Sequence, residues 1–201
     1  MHIVAITTSV NYSDYLRWCL ESLAHVVDGV CVVTEDHDSA IKQCHEFNAT
    51  PLVYDGWHAG GARFNKAGAI RFAQEKIHDA YPDSWYLLID ADVVMQQDAR
   101  ATIEEHATDA ETLYSARRVD FHTLDALKSG EPTCVYGWMF AGYWQLYRRH
   151  VLYPEWSRTA EACDLVFASQ FASCSMLPLT VGHLGREQIN WEGRRSPIWG
   201  C

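Results

Sequence analysis

Two aspartates in the middle of the chain have the residue type and spacing of a metal-binding motif. Asp90 and Asp92 directly follow the apolar run Leu87-Leu88-Ile89, which predicts a buried strand. Side chains two residues apart on an extended chain point the same way, and open α/β sheets bind ligands at the carboxyl ends of their strands. Two carboxylates at such an edge predict a Mg²⁺ or Mn²⁺ site that would hold a diphosphate. The alternative is a strand that ends in two solvated aspartates.

A lysine is the second candidate for binding chemistry. Lys66 lies early in a predicted helix, after the glycine-rich turn from Gly56 to Gly61. Its ammonium group and the unpaired N–H groups of the first helical turn would suit a phosphate or a polar base edge. The glycines would allow the turn to close on a ligand, or they only form a tight turn. The alternative for Lys66 is a place on a solvated helix face.

The composition argues against several classes of protein, among them nucleic-acid-binding, membrane-spanning and disulfide-rich proteins. The chain has 201 residues, of which 48% are hydrophobic, and a formal net charge of −10. That charge opposes a surface devoted to nucleic acid or to an anionic membrane. No apolar run approaches the roughly 20 residues that span a bilayer, and the start of the chain lacks the features of a secretion signal. Seven scattered cysteines form no Cys-x-x-Cys pair, so we expect free thiols in a cytoplasmic protein.

The elements that must position these residues alternate along the first half. Strands are predicted at 2–7, 29–34, 51–54 and 84–89, and helices at 38–47, at 62–80 and after Ser13 as N-cap. This alternation predicts an α/β fold with a mostly parallel central sheet and helices on both faces. The second half is less regular. Its plainest strand is 139–147, its plainest helix is 159–172, and a further strand ends near His183.

Several short segments occur in the order found in one enzyme family. They are Thr7-Thr8-Ser9, Glu35-Asp36-His37-Asp38, Asp55, the run from Gly60 to Ala67, and Asp90-Ala91-Asp92. Together they resemble the GT-A-fold glycosyltransferases, in particular the family-two-like nucleotide-sugar transferases with their DXD motif. The resemblance covers Ile3 to Asp92 well and Phe140 to His183 more loosely. It implies a Rossmann-like three-layer GT-A fold in one domain, with a nucleotide-sugar-binding half (1–95) and an acceptor-binding, metal-completing half (96–201).

The resemblance implies a nucleotide-sugar site in the first half. The implied nucleotide-binding residues are Thr7, Ser9, Glu35 or Asp36 around the nucleoside, Asp55 near the base, Arg63, Asn65 and Lys66 at the nucleotide, and Asp90 and Ala91 at the ribose or donor sugar. Asp92 would bind the metal, Mn²⁺ or Mg²⁺. For Asp36 and Asp38 the alternative is a role as solvated helix caps.

The catalytic residues are implied by a segment of the second half. Glu161-Ala162-Cys163-Asp164 precedes an apolar run and resembles the acidic motif of the helix that bears the catalytic base. Asp164 is therefore the first candidate for the base. Glu161, three residues earlier on about the same helical face, is the second. The alternative for Asp164 is a carboxylate that only favours the helix N-terminus.

Three further features of the second half belong to the same resemblance. His183 is the candidate that would complete a metal site with Asp90 and Asp92. Phe140–Tyr147 resembles the acceptor-side strand, in which Gly142 would let a ligand approach the backbone. The tail Arg186–Cys201 combines arginines with tryptophans, which fits a lid over a diphosphate or a C-terminal arm packed for stability.

The predicted activity is a metal-dependent, inverting hexosyl transfer from a nucleoside-diphosphate sugar, a UDP-sugar by resemblance, to an acceptor hydroxyl. The acceptor stays open between a glycan, a small metabolite, a protein and hydroxymethylpyrimidines in DNA. One alternative is a non-catalytic nucleotide-sugar-binding module. Another is a sugar-nucleotide nucleotidyltransferase. That class has a glycine-rich basic loop after its first strand, where this chain has Thr7-Thr8-Ser9-Val10-Asn11.

Overall fold

The computed structural model describes residues 1–135, 142–185 and 190–194. The first half contains β1 (Ile3–Thr8), α1 (Ser13–Leu23), β2 (Gly29–Thr34), α2 (Ser39–Glu46), β3 (Thr50–Val53), a 3₁₀ helix (Gly56–Gly61), α3 (Lys66–Ala80) and β4 (Trp85–Ile89). The second half contains β5 (Val93–Val94), α4 (Ala99–His106), β6 (Thr112–Phe121), α5 (Leu124–Ser129), β7 (Cys134–Val135), β8 (Trp144–Tyr147), α6 (Cys163–Ala168) and β9 (Ser173–Leu184).

All these strands join one sheet in the order β3-β2-β1-β4-β8-β6-β9-β5, with β7 paired to β6. Strands β1 to β4 pair in parallel. Strand β8 is antiparallel to β4 and to β6, so β6 and its parallel neighbour β9 run in the direction of the first four strands. The sheet is thus mostly parallel, and the predicted α/β, Rossmann-like fold class is confirmed.

Alternate residues of the central strands face opposite layers of helices, as the period of two in a strand requires. On one face, Ile3 and Ala5 of β1 pack with α1 and α4. On the other face, Val4 and Ile6 pack with α3 and α6. These two apolar layers make the three-layer arrangement, and they hold the ends of β1 and β4 in fixed positions at one edge of the sheet.

Two predicted helices differ from the structure at their starts. Ser13 is the first residue of α1 and does not cap it; Tyr12 precedes the helix without a side-chain cap. Helix α3 begins at Lys66, four residues later than predicted, because the glycine-rich segment forms its own 3₁₀ helix and Asn65 caps α3.

The second half departs further from the prediction. Helix α6 is only Cys163–Ala168, because Ala162 has a left-handed φ of 63° and β9 already begins at Ser173. The long strand β6 was not predicted, and of β9 only its end near His183 was. The expected strand 139–147 is a strand over Trp144–Tyr147, and its first residues, 139–141, lie outside the described residues.

Two expectations from composition concern the described part of the chain. No helix in it is long and apolar enough to cross a membrane. The described cysteines, residues 19, 31, 44, 134, 163 and 174, are free thiols.

The central strand gives a test of the packing. Leu87 of β4 is fully buried between the layers, whereas Leu165 of α6 is 58% exposed. We expect Leu87→Ala to lower the free energy of unfolding by about 2–5 kcal/mol, because it removes buried contacts and leaves a cavity. Leu165→Ala is the matched control and should change it by less than about 0.5 kcal/mol. Urea unfolding measures both, and equal losses would contradict this packing.

Candidate functional site

A buried lysine joins the two halves of the molecule at the carboxyl edge of the sheet. Lys66 opens α3, and only 6% of the residue is exposed. Its Nζ lies 2.7 Å from Oδ1 of Asp90, which directly follows β4, and 3.6 Å from Oδ1 of Asp164 in the first turn of α6. One cation therefore neutralises two carboxylates that the sequence places 74 residues apart.

Asn65 explains why α3 begins at this lysine. Its Oδ1 accepts hydrogen bonds from the backbone N–H of Gly68, at 3.1 Å, and of Ser157, at 2.9 Å. Its Nδ2 donates to Tyr54 Oη at 3.3 Å and to the Gly56 carbonyl at 3.4 Å. The cap thus fixes the first turn of α3 and the position of Lys66. Both side-chain amide atoms of Asn65 are thus hydrogen-bonded within the protein, so neither is free for the predicted contact with a nucleotide.

The side chain of Asp164 packs closely between Tyr153 and Gly142. Its Oδ1 is 2.7 Å from the hydroxyl of Tyr153. A Cβ added to Gly142 would lie 1.7 Å from Cγ of Asp164, so only glycine leaves room for this carboxylate. The resemblance implies that Gly142 admits a ligand; in the structure it leaves room for the side chain of Asp164. That side chain is 16% exposed, so a substrate can reach it.

Burial and charge set the protonation behaviour of this pair. Burial raises the pKa of Asp164, and Lys66 only partly opposes that rise. Burial alone would lower the pKa of Lys66, but Asp164 and Asp90 together raise it above its ordinary value. Lys66 is therefore a permanent cation, and Asp164 is a carboxyl group with more affinity for a proton than an exposed aspartate. A raised pKa suits a general base that works near neutral pH.

A second cluster of charged groups surrounds His183. Nε2 of His183 lies 3.6 Å from Oδ2 of Asp92, and Nδ1 lies 3.5 Å from Oδ1 of Asp120. Arg118 holds both Asp120 oxygens at 2.6 and 2.9 Å, and its Nη2 is 3.2 Å from His183 Nδ1. Strand pairing brings these side chains together, because His183 of β9 pairs with Val93 of β5 on one side and with Asp120 of β6 on the other.

The predicted metal site can be judged on these contacts. In the part of the chain that the structure describes, no three or more His, Cys, Asp or Glu side chains are grouped to hold a metal. Asp92 and His183 are neighbours, but Oδ1 of Asp90 is taken by Lys66. Oδ1 of Asp92 is buried without a hydrogen-bond partner among the described residues. A Mg²⁺ that also binds substrate phosphates needs only one or two protein carboxylates, so Asp92 fits such an ion, and His183 lies beside it.

Buried hydroxyls line the neighbouring strand ends. Thr7 and Ser9 at the end of β1 and Thr34 at the end of β2 are almost fully buried, and within the described ranges their oxygens have no hydrogen-bond partner. Unsatisfied buried hydroxyls are rare and indicate a water or ligand. A small pocket at this edge has Thr7, Thr8, Lys66, Asp90 and Tyr153 as its polar lining.

The acidic turn after β2 is more exposed. Glu35 is half-buried, and Asp36 is exposed and pairs with His37. Asp38 caps α2 by accepting from the N–H of Ala40 at 2.8 Å, which is the capping alternative. Asp55, after β3, is exposed as well. This turn has the solvent access that a nucleoside would need.

Three predicted residues lie farther from the pocket or outside an expected element. Ala91 packs into the apolar layer beside α1. Glu161 is exposed and precedes α6, so it does not share a helical face with Asp164. Arg63 is exposed and forms an ion pair with Glu192.

The described part of the C-terminal tail, residues 190–194, packs against the protein. Arg194 Nη2 is 2.9 Å from Asp14 Oδ2, and the guanidinium lies over the rings of Tyr12 and Tyr15. The N–H of Ala160 donates to the carbonyl of Trp191 at 2.8 Å. These contacts match the arm alternative for this stretch, while residues 186–189 and 195–201 lie outside the described residues.

Sequence reasoning missed four buried polar residues of the site. They are Arg118, Asp120, Gln145 and Tyr153. Gln145 interrupts the aromatic strand β8, and Arg118 and Asp120 alternate on β6; a polar residue at a buried strand position was the available signal.

Removing Lys66 tests its role between the carboxylates. Lys66→Met should destabilise the protein by roughly 3 kcal/mol or more at pH 7.5, because it leaves buried Asp164 without its cation. Without Lys66 the raised pKa of Asp164 rises further. A carboxyl group with a raised pKa in the folded state destabilises that state only at pH values above its unfolded-state pKa, which is about 3.9 for aspartate. The loss of unfolding free energy in Lys66→Met should therefore shrink as the pH falls toward 4.5.

The matched control is Lys42→Met, which removes an exposed lysine paired with Glu46 at 3.7 Å. That change should cost less than about 0.5 kcal/mol. Urea unfolding at both pH values measures the effects. A loss in Lys66→Met that equals the control, or one that does not vary with pH, would contradict the buried charge arrangement.

Comparison with known proteins gives the fold its context. No protein-family model and no curated protein matches the sequence. Among solved structures, S. aureus TarS residues 1–349 is similar with a TM-score of 0.56 and 16% identity, over 90% of this chain and 58% of that chain. A longer TarS structure has a TM-score of 0.56 and 18% identity, over 88% of this chain and 35% of that one. The chain therefore spans little more than half of the shorter TarS chain and about a third of the longer one.

Enzymes of a different class have structures similar to this chain as well. A putative glucose-1-phosphate thymidylyltransferase from Bacillus anthracis has a TM-score of 0.55 and 14% identity, over 92% of this chain and 91% of that one. 4-Diphosphocytidyl-2C-methyl-D-erythritol synthase has a TM-score of 0.52 and 16% identity, over 87% of each chain. At these identities the likeness concerns the fold. The chain has a GT-A-like fold, the fold that nucleotide-sugar enzymes use.

Proposed function

We propose that this protein is a glycosyltransferase that moves a hexose from a nucleoside-diphosphate sugar to an acceptor hydroxyl, with Asp164 as general base. The observation that supports this best is the contact of Lys66 with both Asp90 and Asp164. It places the carboxyl group proposed as base beside the strand edge proposed for the donor. Fold neighbours that include the glycosyltransferase TarS are consistent with the proposal.

The donor nucleoside would lie over the ends of β1 and β2. Thr7, Ser9 and Thr34 offer buried hydroxyls that can donate to or accept from a base or ribose, and Glu35, Asp36 and Asp55 lie around the turn beside them. Hydroxyls that gain a partner on binding would contribute affinity and order. UDP is our first choice of nucleotide, on the resemblance given by the sequence.

Asp92 and His183 would hold Mn²⁺ or Mg²⁺ together with the diphosphate. Behind the ring of His183, Nη2 of Arg118 lies 3.2 Å from Nδ1 and Oδ1 of Asp120 lies 3.5 Å from it, so these two residues would hold the orientation of the ring. When bound, the ion would supply positive charge for the departing diphosphate.

Asp164 would act on the acceptor. Its carboxylate would take the proton of the acceptor hydroxyl as that oxygen attacks the anomeric carbon from the face opposite the departing diphosphate, which inverts that carbon. Lys66 stays charged throughout and holds Asp164 in place through Oδ1. A group with a raised pKa accepts this proton more readily than an exposed aspartate would.

Two other functions share the fold. A nucleotidyltransferase is consistent with two of the neighbours, but the polar segment Thr7–Asn11 stands where that class has its glycine-rich basic loop. A module that only binds nucleotide sugars would not use Asp164 as a base. The acceptor hydroxyl belongs to a glycan, a metabolite, a protein or modified DNA, and the net charge of −10 opposes DNA.

Replacing the base tests the proposed transfer. Asp164→Asn should lower the rate of UDP release from UDP-glucose or UDP-galactose with Mn²⁺ by about 10²–10⁴. UDP binding, measured by calorimetry, should stay within a few-fold of the wild type, because Asp164 lies on the acceptor side. Glu161→Gln is the second arm and should keep most of the activity.

The outcomes separate the functions. Pyrophosphate release from nucleoside triphosphate and sugar phosphate, with no UDP release, would instead indicate a nucleotidyltransferase. Tight UDP binding with no release of UDP by the wild type would indicate the binding module. Loss of activity in Glu161→Gln alone would move the base to Glu161.

A further inference from the structure

Tyr153 has one hydroxyl proton and two acceptors at equal distance. Its Oη lies 2.7 Å from Oε1 of Gln145 and 2.7 Å from Oδ1 of Asp164. Tyr153 and Gln145 are each about 1% exposed, so neither contact is shared with bulk water. A phenol can donate to only one of these oxygens at a time.

The orientation of Gln145 is fixed by the protein. Its Nε2 donates to the backbone carbonyl of Asp164 at 3.3 Å. A carbonyl accepts only, so the nitrogen must face it and Oε1 must face Tyr153. Gln145 therefore presents an acceptor to the phenol, as an ionised Asp164 also does.

Counting protons gives two arrangements of this chain. When Asp164 is ionised, Tyr153 donates to Asp164 and leaves Oε1 of Gln145 without a donor among the described residues. When Asp164 is protonated, the acid donates to Tyr153 Oη and Tyr153 donates to Gln145, so the three side chains satisfy one another. Burial of the three residues makes the unsatisfied oxygen costly in the first arrangement.

We propose that Tyr153 and Gln145 are positioning residues that form a two-position hydroxyl switch for the protonation of Asp164. This inference rests on the proposed function for its role in catalysis. As the O–H bond of the acceptor breaks, its electron pair goes to the attacking oxygen and its proton forms a new O–H bond on Oδ1 of Asp164, the oxygen that faces Tyr153. At the same time the hydroxyl of Tyr153 turns from Asp164 to Gln145. The base thus gains a proton without leaving a buried donor unpaired.

Three charged or titratable groups surround Asp164 besides Tyr153. Lys66 from α3 faces Oδ1 at 3.6 Å, and the thiol of Cys163 lies 3.8 Å from the same oxygen. Asp90 acts on Asp164 through the charge of its carboxylate, and Lys66 lies between them. The switch therefore changes one hydroxyl orientation against a constant background of charge.

The test measures the pKa of Asp164 directly, without substrate. Aspartate carboxyl carbons labelled with ¹³C are titrated by NMR, and Asp164→Asn assigns the resonance. Gln145→Met should lower the pKa of Asp164 by about 0.5–1 pH unit, a change of roughly three- to tenfold in proton affinity, because it removes the acceptor that favours the protonated form.

Two variants make the result specific to the hydroxyl. In a Tyr153→Phe background, Gln145→Met should leave the pKa of Asp164 unchanged, because no phenol connects the two groups. Gln170→Met is the matched control; its amide donates to the carbonyl of Leu152 at 3.0 Å and makes no contact with Asp164, so the pKa should not move.

The wild type gives a second measurement if Gln145→Met fails to fold. The ring Cζ resonance of Tyr153 should titrate with the midpoint of Asp164, because its hydroxyl changes partner there. A Tyr153 resonance that does not move with Asp164, an unchanged or raised pKa in folded Gln145→Met, or the same lowering with Phe at 153 would overturn the switch. These readouts contain no substrate, so they decide the switch separately from the transferase activity.

Discussion

The arrangement of the site depends on one buried cation. Lys66 is held by a capped helix start and lies between Asp90 and Asp164, which come from opposite halves of the chain. Two carboxylates that share one ammonium group repel each other, and this repulsion is strong where Asp164 is shielded from water, so the site needs the positive charge. The cation therefore connects the start of α6 to the end of β4. Gly142 completes the fit by leaving space for Asp164.

The fold of the first half could be predicted because its signals are local. Short β-branched runs, separated by helical spacing of apolar residues, gave β1 to β4 to within one or two residues. The second half could not be predicted as well. Strand β6 carries the polar residues Arg118 and Asp120 at buried positions, so it lacks a regular apolar pattern. The late start of α6, at Cys163, follows a left-handed alanine, Ala162, which has no sequence signal comparable to glycine.

The candidate site also contains residues that the sequence indicated and contacts that it did not. The sequence indicated Asp90, Asp92, Lys66, Asp164 and His183, and the structure gathers them into two neighbouring charge clusters. It did not indicate that Lys66 would pair with Asp90 and Asp164, because that contact needs the docking of α6. Tyr153 and Gln145 were missed for the same reason, since their importance comes from two long-range contacts with Asp164. Residue type predicted which groups could do chemistry, and tertiary packing decided which of them meet.

The most direct test of the account is a crystal structure of the protein with UDP and Mn²⁺, using anomalous diffraction to locate the manganese. We predict a manganese peak beside Asp92 and His183, with the nucleoside against Thr7 and Thr34, the diphosphate at the manganese and the sugar between the diphosphate and Asp164. Nucleotide bound at another surface, or manganese held by residues away from this edge of the sheet, would contradict the account.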